Sequence, residues 1–127
     1  MREILFRGKT EKGEWVEGLL WKKKHNTDKI FISCFPDHDD NEEVFPVKPE
    51  TVGQYTGLTD KNGKKIFEGD IVDICYPYTI VHNALINYVG ASFYGDNGND
   101  LWSLDEYFYL EVISNIHDNP ELLNERR

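Results

Sequence analysis

Residues 51–72 read TVGQYTGLTDKNGKKIFEGDIV, and this stretch decides the fold. Asn62-Gly63 lies between two short runs of β-forming residues, and this dipeptide can adopt the positive φ angles of a type I′ turn. The stretch therefore predicts a β-hairpin centred on that turn. Counting outward from the turn, Asp60 faces Lys65, which is a favourable cross-strand charge pair.

A second turn follows the hairpin directly. Gly69-Asp70 reverses the chain before Ile71, which begins another apolar, β-branched run. The carboxylate of Asp70 has a structural role available there, because it can accept hydrogen bonds from the backbone of the turn. Asn62, Gly63, Gly69 and Asp70 are thus predicted to be structural turn residues.

Further strands are predicted on both sides of this central segment. An opening hairpin joins residues 4–6 to the strand at 15–21, and the remaining strands fall at 30–35, 80–89, 93–94, 101–102 and 107–116. Asn119 and Pro120 are typical of an N-cap and a first helical position, so one or two helical turns are expected at the C-terminus. We predict one mainly β domain over residues 1–127. Its expected form is a small, strongly bent sheet or SH3-like barrel, built from hairpins with extra N-terminal strands and a short C-terminal helix.

The charge of the chain is unevenly distributed. Residues 1–65 hold 12 basic and 12 acidic side chains, whereas residues 66–127 hold 2 basic and 11 acidic ones and so carry the whole net charge of −9. Phosphate contacts require cations, which argues against a nucleic-acid groove in the second half. Three interpretations remain for this acidic half: a solvated surface, a face for a basic partner, or a mimic of DNA.

The composition is that of a cytoplasmic protein. The sequence has no apolar run long enough to span a membrane and no signal-type segment after Met1. Cys34 and Cys75 lie in apolar, strand-like contexts, where a buried, reduced thiol is the common state. We expect neither a membrane partner nor a cofactor.

An acidic segment at residues 36–43 contains the densest group of metal-ligand side chains, Asp37, His38, Asp39 and Asp40. Hard cations favour clustered carboxylates, but the segment lacks the later Gly and distal Glu of an EF-hand loop. No zinc-ligand spacing occurs elsewhere. We therefore predict a solvated acidic loop and no metal site.

Catalytic motifs are absent from the sequence. It has no nucleophile elbow, phosphate-binding glycine loop or HExxH motif. An enzyme would have to assemble Asp70, Asp73 and His82, together with Glu111, from separate strands. Non-enzymatic function is the favoured interpretation, and this dispersed site is the alternative.

Aromatic side chains are more numerous than the interior of one small barrel can hold. Trp21, Tyr55, Tyr78 and Trp102 are the candidates for an exposed patch or an interface. Cations are scarce around most of them, so a protein partner is preferred to a nucleic acid. Replacing Trp21 or Tyr78 is expected to weaken assembly more than folding.

Three separated blocks carry a family resemblance: REILFRGK at residues 2–9, PETVGQYTGLTDKNGKKIFEGDIV at 49–72 and EVISNIHDNPELL at 111–123. In this order they resemble the YopX family of phage and prophage proteins, although the family usually has Gly at the position of Ser114. The resemblance implies a mostly β, self-associating protein encoded by a phage or prophage of a low-GC Gram-positive bacterium. It brings no catalytic residues and no established activity.

The resulting hypothesis is a phage accessory protein that self-associates and binds another macromolecule without catalysis. The alternatives are an acidic mimic that inhibits a host DNA-binding protein and an enzyme with a dispersed Asp/His site. The expected partners are further copies of the chain and a basic host or phage protein, in the cytoplasm of the bacterial host.

Overall fold

A computed structural model describes residues 3–23, 26–34 and 43–125. These residues are mainly β, as the sequence predicts, with two short 3₁₀ helices at Pro49–Thr51 and Pro120–Glu125. The strands are β1 (Phe6–Lys9), β2 (Trp15–Lys23), β3 (Asn26–Cys34), β4 (Glu43–Val47), β5 (Gly53–Thr59), β6 (Lys65–Phe67), β7 (Asp70–Cys75), β8 (Ile80–Val89), β9 (Ser92–Asp96), β10 (Leu101–Ser103) and β11 (Tyr109–Asn115).

Across the described ranges the strands form two antiparallel sheets, ordered β4-β3-β2-β1-β5-β6 and β10-β9-β8-β7-β11. Neither sheet closes, so the expected SH3-like barrel is not confirmed. Closure of the second sheet would require its outer strands β10 and β11 to pair. Instead, Leu110 O of β11 accepts a hydrogen bond from Lys61 N–H, and Ser103 O of β10 accepts one from the Tyr76 hydroxyl.

The chain divides into two compact units, Met1–Tyr55 and Thr56–Arg127, with β5 contributing to both. In the first unit, Ile32 and Val47 are buried on the same face of the sheet, since Ile32 pairs with Phe45, two residues before Val47. Gly8 packs directly on Val47, because a Cβ at Gly8 would lie 3.0 Å from the Val47 side chain. The expectation of a single domain stays a prediction.

The second unit has a continuous hydrophobic core between its strands. Alternate residues of β7 and β8 supply much of it, which is the pattern of a sheet with one buried face. The fully buried members of this core include Ile66, Val72, Ile74, Ala84, Ile86 and Leu110. This core supports the loops and the edge strand that form the candidate site.

The central hairpin forms where it was predicted, but its register is shifted by one residue. Asp60 N–H donates to Lys64 O at 2.8 Å, and Gly63 N–H donates to Asp60 O at 3.0 Å. Asp60 therefore faces Lys64, and the predicted pairing with Lys65 is wrong. Gly63 has φ +81°, whereas Asn62 does not have a positive φ. This is a type I turn followed by a glycine bulge, a common three-residue alternative to the predicted type I′ turn.

Several other local predictions are confirmed. The opening hairpin pairs β1 with β2, and the hairpin around residues 97–100 pairs β9 with β10. Ile80–Val89 is a strand, as predicted. The segment Pro120–Glu125 is a 3₁₀ helix rather than an α-helical turn. No helix in the described part of the chain is long and apolar enough to cross a membrane.

Candidate functional site

An aromatic cluster of Tyr76, Tyr78 and Trp102 lies at one end of the second sheet. The Tyr76 and Tyr78 rings stack with centroids 5.8 Å apart and an interplanar angle of 19°. The Trp102 ring lies 5.3 Å from the Tyr76 ring on a tilted plane. Tyr78 is 76% exposed, whereas Tyr76 is buried. The cluster thus contains an accessible Tyr78 ring that packs on the buried Tyr76 ring.

The local sequence explains how these rings meet. Tyr76 N–H donates to Thr79 O at 2.8 Å, which closes the turn between β7 and β8, and Pro77 restricts the backbone inside that turn. Trp102 lies on β10 opposite Gly95. A Cβ at Gly95 would lie 2.6 Å from Cδ1 of Ile74 and 3.2 Å from Cβ of Ala84, so a larger residue would force the Ile74 side chain to shift.

A pocket of about 140 Å³ borders the aromatic cluster. Besides the three rings and Pro77, its lining includes Ser103, Asp105 and Glu106. Glu106 has φ +51°, a conformation that non-glycine residues adopt infrequently, so the loop holds its backbone in a specific geometry. Both carboxylates are exposed. An aromatic surface beside two carboxylates has the chemistry to attract a cation.

The Tyr76 hydroxyl joins the turn to strand β10. It donates a hydrogen bond to Ser103 O at 2.5 Å. Burial raises the pKa of Tyr76 to about 12, and Tyr78 and Asp105 act in the same direction. The phenol therefore stays protonated near neutral pH, and the cluster keeps this link between its two elements.

A second pocket, of about 390 Å³, is also lined by Trp102. Its lining combines polar and apolar side chains: Thr79, Ile80, Val81, His82, Asn97, Trp102 and Glu125. The indole Nε1 of Trp102 is buried and has no hydrogen-bond partner among the described residues. Since that nitrogen is shielded from solvent, a ligand in either pocket could reach it only after the ring moved.

The other two interface candidates lie in the first unit. Trp21 is 45% exposed on β2, and its ring meets the Phe31 ring edge-on at 5.1 Å. Tyr55 is only 7% exposed, so it is a core residue and presents no accessible face. Of the four candidates, the structure brings together only Tyr78 and Trp102, with Tyr76 between them.

Asp73 and His82 meet across neighbouring strands. Their side chains are 3.2 Å apart, and Asp73 also accepts a hydrogen bond from Asn83 N–H at 3.1 Å. Two residues of β8 oppose Asp73 here, and Asn83 has φ +52°, so the strand forms a β-bulge. The His82 side chain is 69% exposed. This solvent-exposed pair lies at the β-bulge, and its contacts stabilise the local backbone there.

Asp70 does not join this pair. It lies three residues before Asp73 on β7, so their Cα atoms are about 10 Å apart and their side chains point to opposite faces. The Asp70 carboxylate is buried and accepts a hydrogen bond from Phe67 N–H at 2.7 Å. Glu111, the further candidate, lies directly opposite Asp73 on β11 and forms an ion pair with Lys61 at 2.7 Å. The proposed site of Asp70, Asp73 and His82 is therefore not formed, because strand alternation places Asp70 on the opposite face of the sheet from Asp73.

Asp60 is an organising residue that the sequence interpretation missed. Its Oδ1 accepts the N–H groups of Asn62 and Lys64, each at 2.9 Å, and its Oδ2 accepts Val112 N–H at 3.0 Å. Burial raises the pKa of Asp60, but these three hydrogen bonds and the charge of Lys64 outweigh burial and lower it overall. The Asp-Lys-Asn-Gly sequence signals the turn. No pattern of residues near Asp60 predicts its hydrogen bond with Val112 N–H, 52 residues away.

The remaining candidates concern metals and thiols. The acidic segment with Asp37, His38, Asp39 and Asp40 lies outside the described residues. Within the ranges that are described, no group of three potential ligands could hold a metal ion. Cys34 and Cys75 are free thiols and are half-buried rather than fully buried. Burial raises the pKa of Cys34, whose thiol donates to Glu17 O at 3.0 Å.

Comparisons with known proteins agree with the sequence resemblance. The family model described as YopX protein matches residues 5–124. Among solved structures, the crystal structure of protein EF1440 from Enterococcus faecalis is similar, with a TM-score of 0.58 and 28% sequence identity. The alignment covers 97% of this chain and 99% of that one. No curated protein matches this chain.

Proposed function

Because the chain belongs to the YopX family, we propose that it is a phage or prophage accessory protein that acts without catalysis, through self-association and binding of another macromolecule. The observation that supports self-association is an apolar face on the sheet of the first unit. This surface, which we call the Trp21 face, consists of Leu19, Trp21, Phe31, Val44 and Pro46.

Strand register puts the Trp21 face on one side of the sheet. Trp21 pairs with Phe31, which pairs with Pro46 on the next strand. Leu19 and Val44 both pair with Ser33, so they form the adjacent row. Residues that are directly opposite on neighbouring strands share a face. The outer members of both rows are exposed, whereas Ser33 between Leu19 and Val44 is buried. Exposed apolar side chains grouped in this way on one face are typical of an interaction site.

Charge favours a second copy of the chain as the occupant of this face. Residues 1–65 carry equal numbers of basic and acidic side chains, whereas residues 66–127 carry the net charge of −9. Two copies that meet through the second half would repel each other. Contact through the Trp21 face brings together surfaces from the half without net charge.

The edge of the same sheet is less suited to self-association than its face. Strand β4 is one of the two outer strands of this sheet, and Pro46 within it has no N–H to donate to a further strand. Proline on an edge strand is a known protection against edge-to-edge pairing. The Trp21 face is therefore the apolar surface through which we expect two copies to pack.

Native mass spectrometry and sedimentation of Trp21→Thr test this proposal. Threonine retains β propensity and removes the exposed ring, so we expect the wild-type oligomer to shift toward monomer while the thermal unfolding transition is retained. Tyr88→Thr is the matched control. Tyr88 is 49% exposed on β8 and meets Phe93 edge-on at 4.9 Å, which closely reproduces the setting of Trp21 in the second unit.

The two variants together decide the question. Loss of oligomer mass in Trp21→Thr with wild-type mass in Tyr88→Thr supports the Trp21 face. A monomeric wild-type protein, or an unchanged mass in Trp21→Thr, refutes self-association through this face. Tyr78→Ala is measured alongside. If this variant alone dissociates the oligomer, the interface lies in the second unit instead.

A second candidate function is an acidic mimic that occupies a host DNA-binding protein. The observation that favours it is the concentration of 11 acidic and 2 basic residues in the second half. Affinity capture during prophage induction should then recover a basic host protein that is released at high salt, because screening weakens surface charge interactions. Recovery of the bait without a basic protein would exclude this function.

A further inference from the structure

The pocket beside the aromatic cluster combines three features that suit one kind of ligand. Tyr78 offers an accessible ring that is already stacked on Tyr76, so its flat face is fixed in position. Asp105 and Glu106 line the same pocket. The pocket therefore has an aromatic wall and an anionic rim within the reach of a single side chain.

The long stretch of chain that contains this rim supplies no basic side chain to neutralise it. Residues 66–125 contain 11 acidic side chains and no Lys or Arg. Asp105 and Glu106 form no ion pair with any of the residues that the structure describes. A complementary cation must therefore come from outside this stretch, and another protein with a basic surface would be attracted to it by charge.

We propose that this pocket binds an arginine side chain of a basic partner protein. The planar guanidinium group stacks on aromatic faces and donates two parallel hydrogen bonds to a carboxylate. Stacking on Tyr78 and pairing with Asp105 or Glu106 use both properties at once. A lysine ammonium is a compact point charge and lacks the planar, bidentate fit.

This inference deepens the macromolecule-binding part of the proposed function, and it does not depend on self-association. The Trp21 face belongs to the first unit, whereas the arginine pocket belongs to the second. Nucleic acid is a poor occupant, because the acidic residues that surround the pocket repel phosphate.

The probe is a fluorescein-labelled peptide in which two arginines are separated by glycine and serine. Matched peptides carry lysine or uncharged citrulline at the same positions. Anisotropy measures affinity, and NMR follows the indole N–H signal of Trp102, assigned with Trp102→Phe. We expect the arginine peptide to bind most tightly, the lysine peptide more weakly and the citrulline peptide not at all. The Trp102 signal should shift while those of Trp15 and Trp21 stay in place.

Two variants remove the two parts of the pocket separately. Tyr78→Ala removes the exposed ring, and we expect binding to weaken about fivefold. Asp105→Asn with Glu106→Gln removes the rim charge, and we expect a loss of about tenfold. The control for the ring is Phe108→Ala, whose side chain is 70% exposed outside the pocket lining. The control for charge is Asp100→Asn with Glu121→Gln.

The controls separate a built site from general attraction to an acidic protein. The pocket is supported if both pocket variants weaken binding and both controls bind like the wild type. Equal losses in the two double variants, or a Trp102 signal that does not move, would overturn it, as would equal affinity for arginine and citrulline peptides. Native mass is recorded on the same samples, so a failure of self-association is distinguished from a failure of the pocket.

Discussion

Replacing Asp60 by asparagine is expected to destabilise the protein through one identifiable hydrogen bond. The amide oxygen of Asn can replace Oδ1 and keep the bonds from the N–H groups of Asn62 and Lys64. The amide NH₂ group would then face Val112 N–H, so that a donor meets a donor where the carboxylate now accepts at 3.0 Å. A hydrogen bond to a charged group contributes about 1.5–3 kcal/mol, so we expect a loss of about 2 kcal/mol.

Asp60→Ala tests how much the turn itself contributes. This change removes all three acceptor contacts, but Asn62 and Lys64 are exposed and water can replace part of what they lose. Val112 is half-buried on β11, so water replaces the lost hydrogen bond of its N–H less well. We therefore expect Asp60→Ala to lower the free energy of unfolding by about 3 kcal/mol. This is less than the sum of three separate hydrogen bonds, since contributions within one network are not additive.

Urea denaturation gives the free energies, and amide hydrogen exchange locates the effect. Asp96→Asn is the matched control, because Asp96 also accepts an N–H two residues ahead, from Gly98 at 2.8 Å, in an exposed hairpin turn. We expect Asp96→Asn to cost less than about 0.5 kcal/mol. The Val112 amide should exchange faster in Asp60→Asn and not in Asp96→Asn. Equal costs for the two variants, or unchanged protection at Val112, would refute the reasoning.

The carboxylate of Asp60 also makes the free energy of unfolding depend on pH. The pKa of Asp60 is lower in the folded state than its ordinary value, so the unfolded chain binds the proton more readily. Its contribution is complete above the unfolded value of about 3.9 and is lost as the pH falls through the folded pKa. The stability difference between wild type and Asp60→Asn should therefore shrink on acidification through this range, and a constant difference would contradict this assignment.

Three further predictions concern the second unit. Gly95→Ala should cost about 2 kcal/mol in urea denaturation, because the new methyl group would lie 2.6 Å from the Ile74 side chain. Tyr76→Phe should cost about 1 kcal/mol by the same assay, because it removes the hydrogen bond to strand β10. In a spectrophotometric titration, the phenol of wild-type Tyr76 should ionise with a midpoint near its pKa of about 12. Lys61→Gln should leave the urea midpoint unchanged, since the ion pair with Glu111 is solvent-exposed.

Local sequence patterns predicted the strands and their turns well, because their causes lie within a few residues. The turn residues around Gly98, which lie between two short apolar runs, predicted the β9–β10 hairpin, which forms as expected. The turn at Gly63 was also located correctly. Its type was not, because two loop lengths compete at Asn-Gly, and the Asp60 side chain favours the longer one through its bonds to the turn.

The candidate site was only partly predictable. The number of aromatic residues, larger than a small core can hold, suggested Tyr78 and Trp102 among the interface candidates, and the charge count suggested a basic partner. Tyr76, which joins the two rings, looked like one more residue at the end of a strand. Its hydroxyl bonds to Ser103, 27 residues away, and that contact exists only because β10 lies at the sheet edge beside the turn.

The sequence by itself determined that the chain is mainly β, where its hairpins turn, and that its acidic excess lies in the second half. These properties follow from residue type and from neighbours within a few positions. Only the tertiary structure decided that the sheets stay open, that Asp60 bonds to Val112, and that Asp73 meets His82. Those outcomes depend on strand order, on register and on which side chains face each other across neighbouring strands. Residues that are distant in the sequence determine these properties jointly.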